Sequence, residues 1–292
     1  MVMNQQQGSI VAAVVSVAVA IGIAFVVSGD SNEWAGLPAI VWCSFVAVGV
    51  NLVVFVPSWL LRSEKFYDLT GSITYIATTG LALALSDRNE PTSWLMAALI
   101  VVWAARLGTF LFRRIMADGF DRRFDKIKVN PALLLRTWAM QALWVFLTAV
   151  AAWTAIASSD EAPFGALTVI GLILWVVGFG IEVKADREKS NFKKDPSNEG
   201  RFISTGIWAW SRHPNYFGEI VLWVGMALIA LPAFDGAEYV ALISPVFVVL
   251  LLTKVSGVPM LEYRGRKRWG EEPDYQAYCA DVPVLLMRPP RR

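Results

Sequence analysis

Histidine occurs once in the 292 residues, at position 213, and cysteine twice, at 43 and 279. A metal site built from soft ligands needs more of both. None is expected, although a site made of carboxylates alone stays open. Cys43 falls in an apolar segment and Cys279 in the polar tail, and nothing pairs them. No G-x-G-x-x-G turn occurs, since Gly178-Phe179-Gly180 lies inside an apolar run; a Rossmann domain is therefore not expected. The net charge is only +2, too small to suggest a nucleic-acid partner. No linker and no long internal repeat breaks the chain into separate modules.

What the chain does have is apolar length. It is 56% hydrophobic, against about 45–50% for a soluble domain, and its 13 tryptophans suit membrane interfaces. A spanning helix needs about 20 mostly apolar residues, because the hydrocarbon core is about 30 Å thick. Residues 10–27, 37–61, 69–86, 137–159 and 163–181 carry no charge, and 94–112 carries only Arg106. Two shorter apolar stretches follow at 220–234 and 239–253. The expectation is an all-α, polytopic transmembrane bundle of about eight spans with a cytoplasmic cofactor-binding cap. Residues 1–61 would form N-terminal transmembrane helices, and 62–292 the main transmembrane domain with its loops and tail.

Span 10–27 also has a signal-peptide reading, because Val26-Val27-Ser28 resembles a cleavage site. No Lys or Arg precedes it and it is long for such a segment. The retained span is the preferred reading; cleavage would leave seven spans.

The connections sort by charge. Segments 62–68, 113–136, 184–212 and 254–292 hold every one of the 26 Lys and Arg except Arg88 and Arg106. Segments 28–36, 87–93, 160–162 and 235–238 are acidic by comparison. Positive loops stay inside, so both termini are expected in the cytoplasm, in a bacterial inner membrane.

Chemistry concentrates between Gly178 and Gly225. Glu182, Asp186, Lys189 and Lys193 are spaced four, three and four apart, one face of a helix continuing out of the sixth span. After a turn-rich loop comes Ser211-Arg212-His213-Pro214-Asn215-Tyr216-Phe217-Gly218-Glu219. Pro214 suits a first helical position, and a helix start there would attract a phosphate or carboxylate, with Arg212 and His213 beside it. Arg212, Asn215, Tyr216 and Glu219 again share one face, with Glu219 about one and a half turns into apolar sequence, where a carboxylate is costly and usually functional. The bland reading is a basic loop touching anionic lipid headgroups, with His213 structural and Glu219 paired to Arg212. The case for a site rests on two polar helical faces joined by a turn.

Three more polar residues stand apart. Asp68 sits at the mouth of the third span, Arg106 about halfway along the fourth, and Gln141 in the fifth. Asp68 would serve as partner to Arg106 or as a helix cap, and Gln141 as a hydrogen-bonding link between helices. In the tail, the run from Glu262 to Gly270, followed by Tyr275 and Tyr278, would either clamp a phosphate-rich ligand or act as a positive stop for the last helix.

These residues resemble the bacterial DUF1295 family, within the steroid 5α-reductase superfamily. The resemblance runs from about Asp68 to Pro283. It is carried by W-x-x-R-L-G at 103–108, Gln141, E-x-x-x-D at 182–186, S-R-H-P-N-Y-F-G-E at 211–219, and the tail with Tyr275, Tyr278 and Val282-Pro283. The resemblance implies a cytoplasm-facing cavity for NADPH and reduction of a carbon–carbon double bond conjugated to a ketone. By position, Asp186, Lys193, Arg201, Asn215 and Glu219 match cofactor-contacting residues, and Arg264 lies in the tail region that also touches the cofactor. Glu182 stands where the steroid reductases carry Asn. Asp68 matches the catalytic carboxylic acid, in place of the usual Glu. Trp103, 35 residues later, replaces the catalytic Tyr; an indole donates through N–H but delivers no proton. The substrate implied is an apolar small molecule or lipid.

The R-H-P-x-Y-x-G-E core is also similar to that of isoprenylcysteine carboxyl methyltransferases, which implies S-adenosylmethionine as a rival cofactor. A non-enzymatic lipid-binding protein keeping the same fold is the third reading.

Overall fold

The computed structural model describes residues 2–87, 90–160 and 163–290. Ten α-helices are present among them: α1 Val2–Val26, α2 Ala39–Leu61, α3 Tyr67–Ala84, α4 Pro91–Asp118, α5 Pro131–Ala157, α6 Ala166–Lys194, α7 Pro214–Ala230, α8 Ile243–Leu250, α9 Gly257–Trp269 and α10 Pro273–Asp281. One two-residue hairpin, β1 Glu33–Trp34 with β2 Leu37–Pro38, links α1 to α2. Arg88 lies outside the described residues.

Among the described residues, seven segments are long and apolar enough to cross a membrane: Gln5–Val26, Ala39–Leu61, Pro91–Asp118, Pro131–Ala157, Ala166–Lys194, Pro214–Ala233 and Gly236–Trp269. The chain is thus all-α with the make-up of a multi-pass membrane protein. The eighth expected span, 69–86, is helical as α3 but is not among the seven. Its sequence explains this: Thr70, Gly71, Ser72, Thr74, Thr78 and Thr79 are all buried within it. The helix packs on α2, α4 and α5 and brings hydroxyls to the interior. Thr70 and Thr74 donate to carbonyls four residues back, each at 2.7 Å. Asn51 of α2 donates to Thr74 at 3.2 Å, and the Trp153 indole of α5 to Thr79 at 2.9 Å. Such bonds offset the cost of burying hydroxyls, although the Thr78 hydroxyl is buried without a hydrogen-bond partner.

The chain divides into two compact units. The first comprises residues 1–168 and 229–244, the second 169–228 and 245–292. In the first unit the connections gather at two ends. At one, Glu64 accepts the Asp121 amide at 2.9 Å and the Lys128 ammonium at 3.1 Å, and Tyr67 packs edge-on against Phe124. That fastens segment 62–66 to segment 119–128. At the other, Asn32 donates to Ala157, Ser159 to Asp30, and Ser31 bridges Ser158. Gly29 lies so close to Glu238 that an added Cβ would fall 2.9 Å from its side chain. Within the first unit, the basic segments 62–66 and 119–128 are thus fastened together, and the acidic segments around Ser31, Ser159 and Glu238 are fastened to one another.

In the second unit, α6 and α7 meet backbone to backbone. A Cβ on Gly178 would fall 2.5 Å from the Gly218 carbonyl, and one on Gly225 2.5 Å from the Gly171 carbonyl. Small residues are what permit such an approach between membrane helices. Gly180 has nothing within 4 Å. The C-terminal segment straps the loop before α7. Arg212 N–H donates to Pro283, Arg288 N–H to Trp210, the Tyr278 hydroxyl to the Trp208 carbonyl at 2.8 Å, and the Trp269 indole to Gly200 at 2.5 Å. Tyr275 and Tyr278 pack on Phe202 at 5.0 and 5.4 Å. Burial pushes the Tyr275 hydroxyl up to about 12. Both rings thus serve the strap.

Candidate functional site

The second unit holds most of the candidate cofactor residues. α6 continues unbroken to Lys194, so Glu182, Asp186, Lys189 and Lys193 do share a face. Burial fades along it: Glu182 and Asp186 are buried, Lys189 is intermediate and Lys193 exposed. The Lys189 ammonium lies 4.5 Å from the centre of the Trp208 ring, a cation–π contact. Trp208 is itself anchored by donating to the Ala185 carbonyl at 3.1 Å.

α7 begins at Pro214. One residue later, Asn215 Nδ2 reaches Asp186 Oδ1 at 3.5 Å, a long contact that joins the two polar faces. The glycine seam is what sets them this close. Glu219 is half-buried further along the helix. Tyr216 stacks on His213 at 5.7 Å and 13°, and its ring lies over Gly257, where a Cβ would come within 2.7 Å.

Arg212 and His213 do not simply face solvent as anion partners. Glu262 of α9 already occupies them. Its Oε2 lies 3.1 Å from Arg212 Nη1 and its Oε1 2.9 Å from His213 Nε2, with all three side chains no more than 14% exposed. Ser211 fixes the turn, accepting the His213 amide at 3.1 Å and donating to Leu285 at 2.9 Å. Four buried atoms of this cluster have no hydrogen-bond partner: Arg212 Nε, His213 Nδ1, Asn215 Oδ1 and Glu262 Oε2, the last held by its ion pair alone. Lys193, Arg201 and Arg264 are exposed. Glu262 is the residue that sequence reading undervalued. As the one acid in a basic run it reads as charge balance, and nothing local shows that it folds onto residues about 50 positions earlier.

The first unit holds Asp68, Trp103, Arg106 and Gln141. Asp68 opens the first turn of α3. Arg114 stands 3.9 Å from its carboxylate, and the Asp68 side chain is 27% exposed. Burial raises the Asp68 pKa above its ordinary value, against the pull of Arg123 and Arg114. Gln141 donates to the Tyr67 carbonyl at 2.9 Å, so it ties α5 to the start of α3 beside Asp68. It fits against Gly71, where a Cβ would sit 2.8 Å from its amide. Arg106 lies 5.6 Å from the Phe110 ring centre and is half-buried.

Asp68 against Arg114, Ser72 against Gly108 and Tyr75 against Trp103 mark α3 and α4 as antiparallel neighbours. Trp103 is buried and edge-on to Tyr75 at 5.1 Å. Seven residues separate Tyr75 from Asp68, about 10 Å of helix rise. The structure thus sets Trp103 level with Tyr75, a phenol not singled out by any motif, rather than level with Asp68. Among the described residues, no group of three or more His, Cys, Asp or Glu side chains is arranged to hold a metal ion.

A helical membrane chain with a charged helix-end cluster and a partly buried acid is the class these observations define. The family profile described as protein of unknown function DUF1295 matches residues 54–282, and the chain belongs to that family. Among curated proteins it is similar to the uncharacterized protein C594.04c of Schizosaccharomyces pombe, 27% identical over 172 residues, or 49% of each chain. It is similar to steroid 5-alpha-reductase DET2 of Gossypium hirsutum, 36% identical over 59 residues, 20% of this chain and 23% of that one. It is also similar to the probable O-methyltransferase ustE of Ustilaginoidea virens, 29% identical over 84 residues, 29% of this chain and 30% of the other. The chain spans about half the length of these relatives or less. No solved structure matches it.

Proposed function

We propose that the protein is a membrane-embedded reductase that uses NADPH to reduce a carbon–carbon double bond in an apolar enone. The observation that carries this reading is Asp68, an acid held toward its neutral form by burial at the start of a helix. A reductase needs a proton or hydrogen bond at the substrate carbonyl; methyl transfer from S-adenosylmethionine does not. The partial similarity to a steroid 5-alpha-reductase points the same way.

The second unit fits a polar, anionic cofactor. Lys193, Arg201 and Arg264 are exposed cations for its phosphates, and the start of α7 offers unpartnered buried polar atoms. Asp186, Glu182, Lys189, Tyr216 and Glu219 complete the grip. Bound there, NADPH supplies the hydride. In its protonated form, which burial favours, Asp68 would donate to the substrate carbonyl. A donor aimed at developing negative charge is worth about 3–4 kcal/mol. Gln141 steadies the backbone from which Asp68 projects. Trp103 and Tyr75 supply aromatic wall further along α3. We place the arginine- and lysine-rich loops and both termini in the cytoplasm of a bacterial inner membrane.

A methyltransferase is the second reading, favoured by the similarity to a probable O-methyltransferase. Calorimetric titration of the detergent-purified protein with NADPH, NADH and S-adenosylmethionine separates the two, with wild type compared with Asn215→Ala. NADPH binding that depends on Asn215 supports the reductase and opens a screen of apolar enones. Binding of S-adenosylmethionine alone overturns it. Binding of none, by folded protein, leaves a lipid-binding role.

A further inference from the structure

The sequence suggests that the start of α7, flanked by Arg212 and His213, receives an anion. The geometry points to a different division of labour: we infer that Glu262 is a positioning residue that fixes His213 with a bare, ligand-facing Nδ1, so that this helix start receives a hydrogen-bond donor. The inference rests on the dinucleotide reading only for the identity of that donor.

The argument is one of hydrogen-bond chemistry. An ionised carboxylate only accepts. Glu262 Oε1 stands 2.9 Å from His213 Nε2, so Nε2 carries the hydrogen, and in the neutral ring Nδ1 is left as a lone-pair acceptor. Nδ1 is buried with no hydrogen-bond partner, on a side chain only 6% exposed. Asn215 follows the same logic. Asp186 faces its amide, and a carboxylate there selects Nδ2 as the donor. Asn215 Oδ1 is then an acceptor, and it too is buried and unpartnered. Two carboxylates thus orient two ambivalent side chains, and each leaves an acceptor unused. A phosphate oxygen has no hydrogen to give to either. A ribose hydroxyl, a carboxamide N–H or an ammonium group does. Glu262 also balances Arg212 at 3.1 Å, which lowers the attraction of this spot for an anion, while the unpartnered Arg212 Nε is a donor left for an acceptor on the same ligand. The phosphates of a dinucleotide would fall to Lys193, Arg201 and Arg264.

Because His213 is the single histidine of the chain, selective ¹⁵N-histidine labelling of the full-length protein in nanodiscs yields one imidazole spectrum. At mildly alkaline pH, wild type is expected to show the Nε2–H tautomer alone, with Nδ1 bare. Glu262→Gln and Glu262→Ala are expected to give a tautomer mixture and bind NADPH about tenfold more weakly, the scale of one hydrogen bond. Addition of NADPH should shift the Nδ1 resonance in wild type. An Nδ1–H tautomer or a doubly protonated ring in wild type overturns the inference without recourse to any variant. So does an Nδ1 resonance that neither NADPH nor S-adenosylmethionine moves. A shift with S-adenosylmethionine alone keeps the acceptor role and overturns the dinucleotide reading.

Discussion

In the first unit, several polar side chains bond along the helix they sit on or to one neighbour, although others, Gln141 Oε1 and Thr78 Oγ1 among them, are buried without a hydrogen-bond partner. Thr70 and Thr74 bond back along α3, Trp153 reaches Thr79, and Gln141 reaches the Tyr67 carbonyl. In the second unit they are organised around carboxylates. Glu262 holds Arg212 and His213, Asp186 holds Asn215, and Glu188 accepts the Ile207 amide at 3.0 Å. A back-bonded threonine can line an interior without asking for a ligand. A carboxylate that turns an amide or an imidazole leaves the other end of that group in need of one. The carboxylate-centred cluster at the start of α7 belongs to the second unit, and the first holds the partly buried acid Asp68.

That contrast breaks most visibly at Asp68. Asp68→Asn is expected to cut turnover of an enone by about 10²–10⁴-fold, the usual worth of a general acid, with NADPH affinity from calorimetry unchanged. Turnover should also fall as pH rises through the raised Asp68 pKa, since the protonated acid is the working form. Unchanged turnover in the variant would remove Asp68 from the mechanism.

Glu64 forms a buried ion pair with Lys128 in the first unit, with its side chain 4% exposed. Burial alone would raise its pKa, but the Asp121 amide and Lys128 overrule it and set the pKa below its ordinary value. Its stabilising contribution is therefore complete above the ordinary carboxylate value and is lost as pH falls through the depressed one. Glu64→Ala should cost about 3 kcal/mol in thermal unfolding at neutral pH, as loss of one partner of a buried pair does. The deficit relative to wild type should shrink in acid.

The α6–α7 contact sharpens the comparison from the other side. Gly178→Ala is expected to cost about 1–3 kcal/mol by overpacking and to weaken cofactor binding, because it pushes Asp186 away from Asn215. Gly180→Ala, two residues along the same helix with open space around it, should leave both unchanged. Equal effects would mean that the seam does not set the site. The smallest effect is expected at the strap. Tyr278→Phe loses the bond to Trp208, about 1 kcal/mol, seen as a small drop in melting temperature.

Apolar length determined by itself that this is a helical chain with the make-up of a multi-pass membrane protein, and where seven of its eight expected spans fall. Hydrocarbon thickness and the cost of moving charge through it leave little choice. The helix start at Pro214 and the shared face from Glu182 to Lys193 were equally legible, because both are properties of one helix. α3 was legible as a helix but not as a polar interior element, since what buries its hydroxyls is packing on α2, α4 and α5. Tertiary structure alone decided that Glu262 closes on Arg212 and His213, that Tyr75 rather than Asp68 lies level with Trp103, and that Gly178 and Gly218 touch. Each joins residues distant in sequence, and hydrogen bonds and close packing act through space, where neither composition nor periodicity reaches.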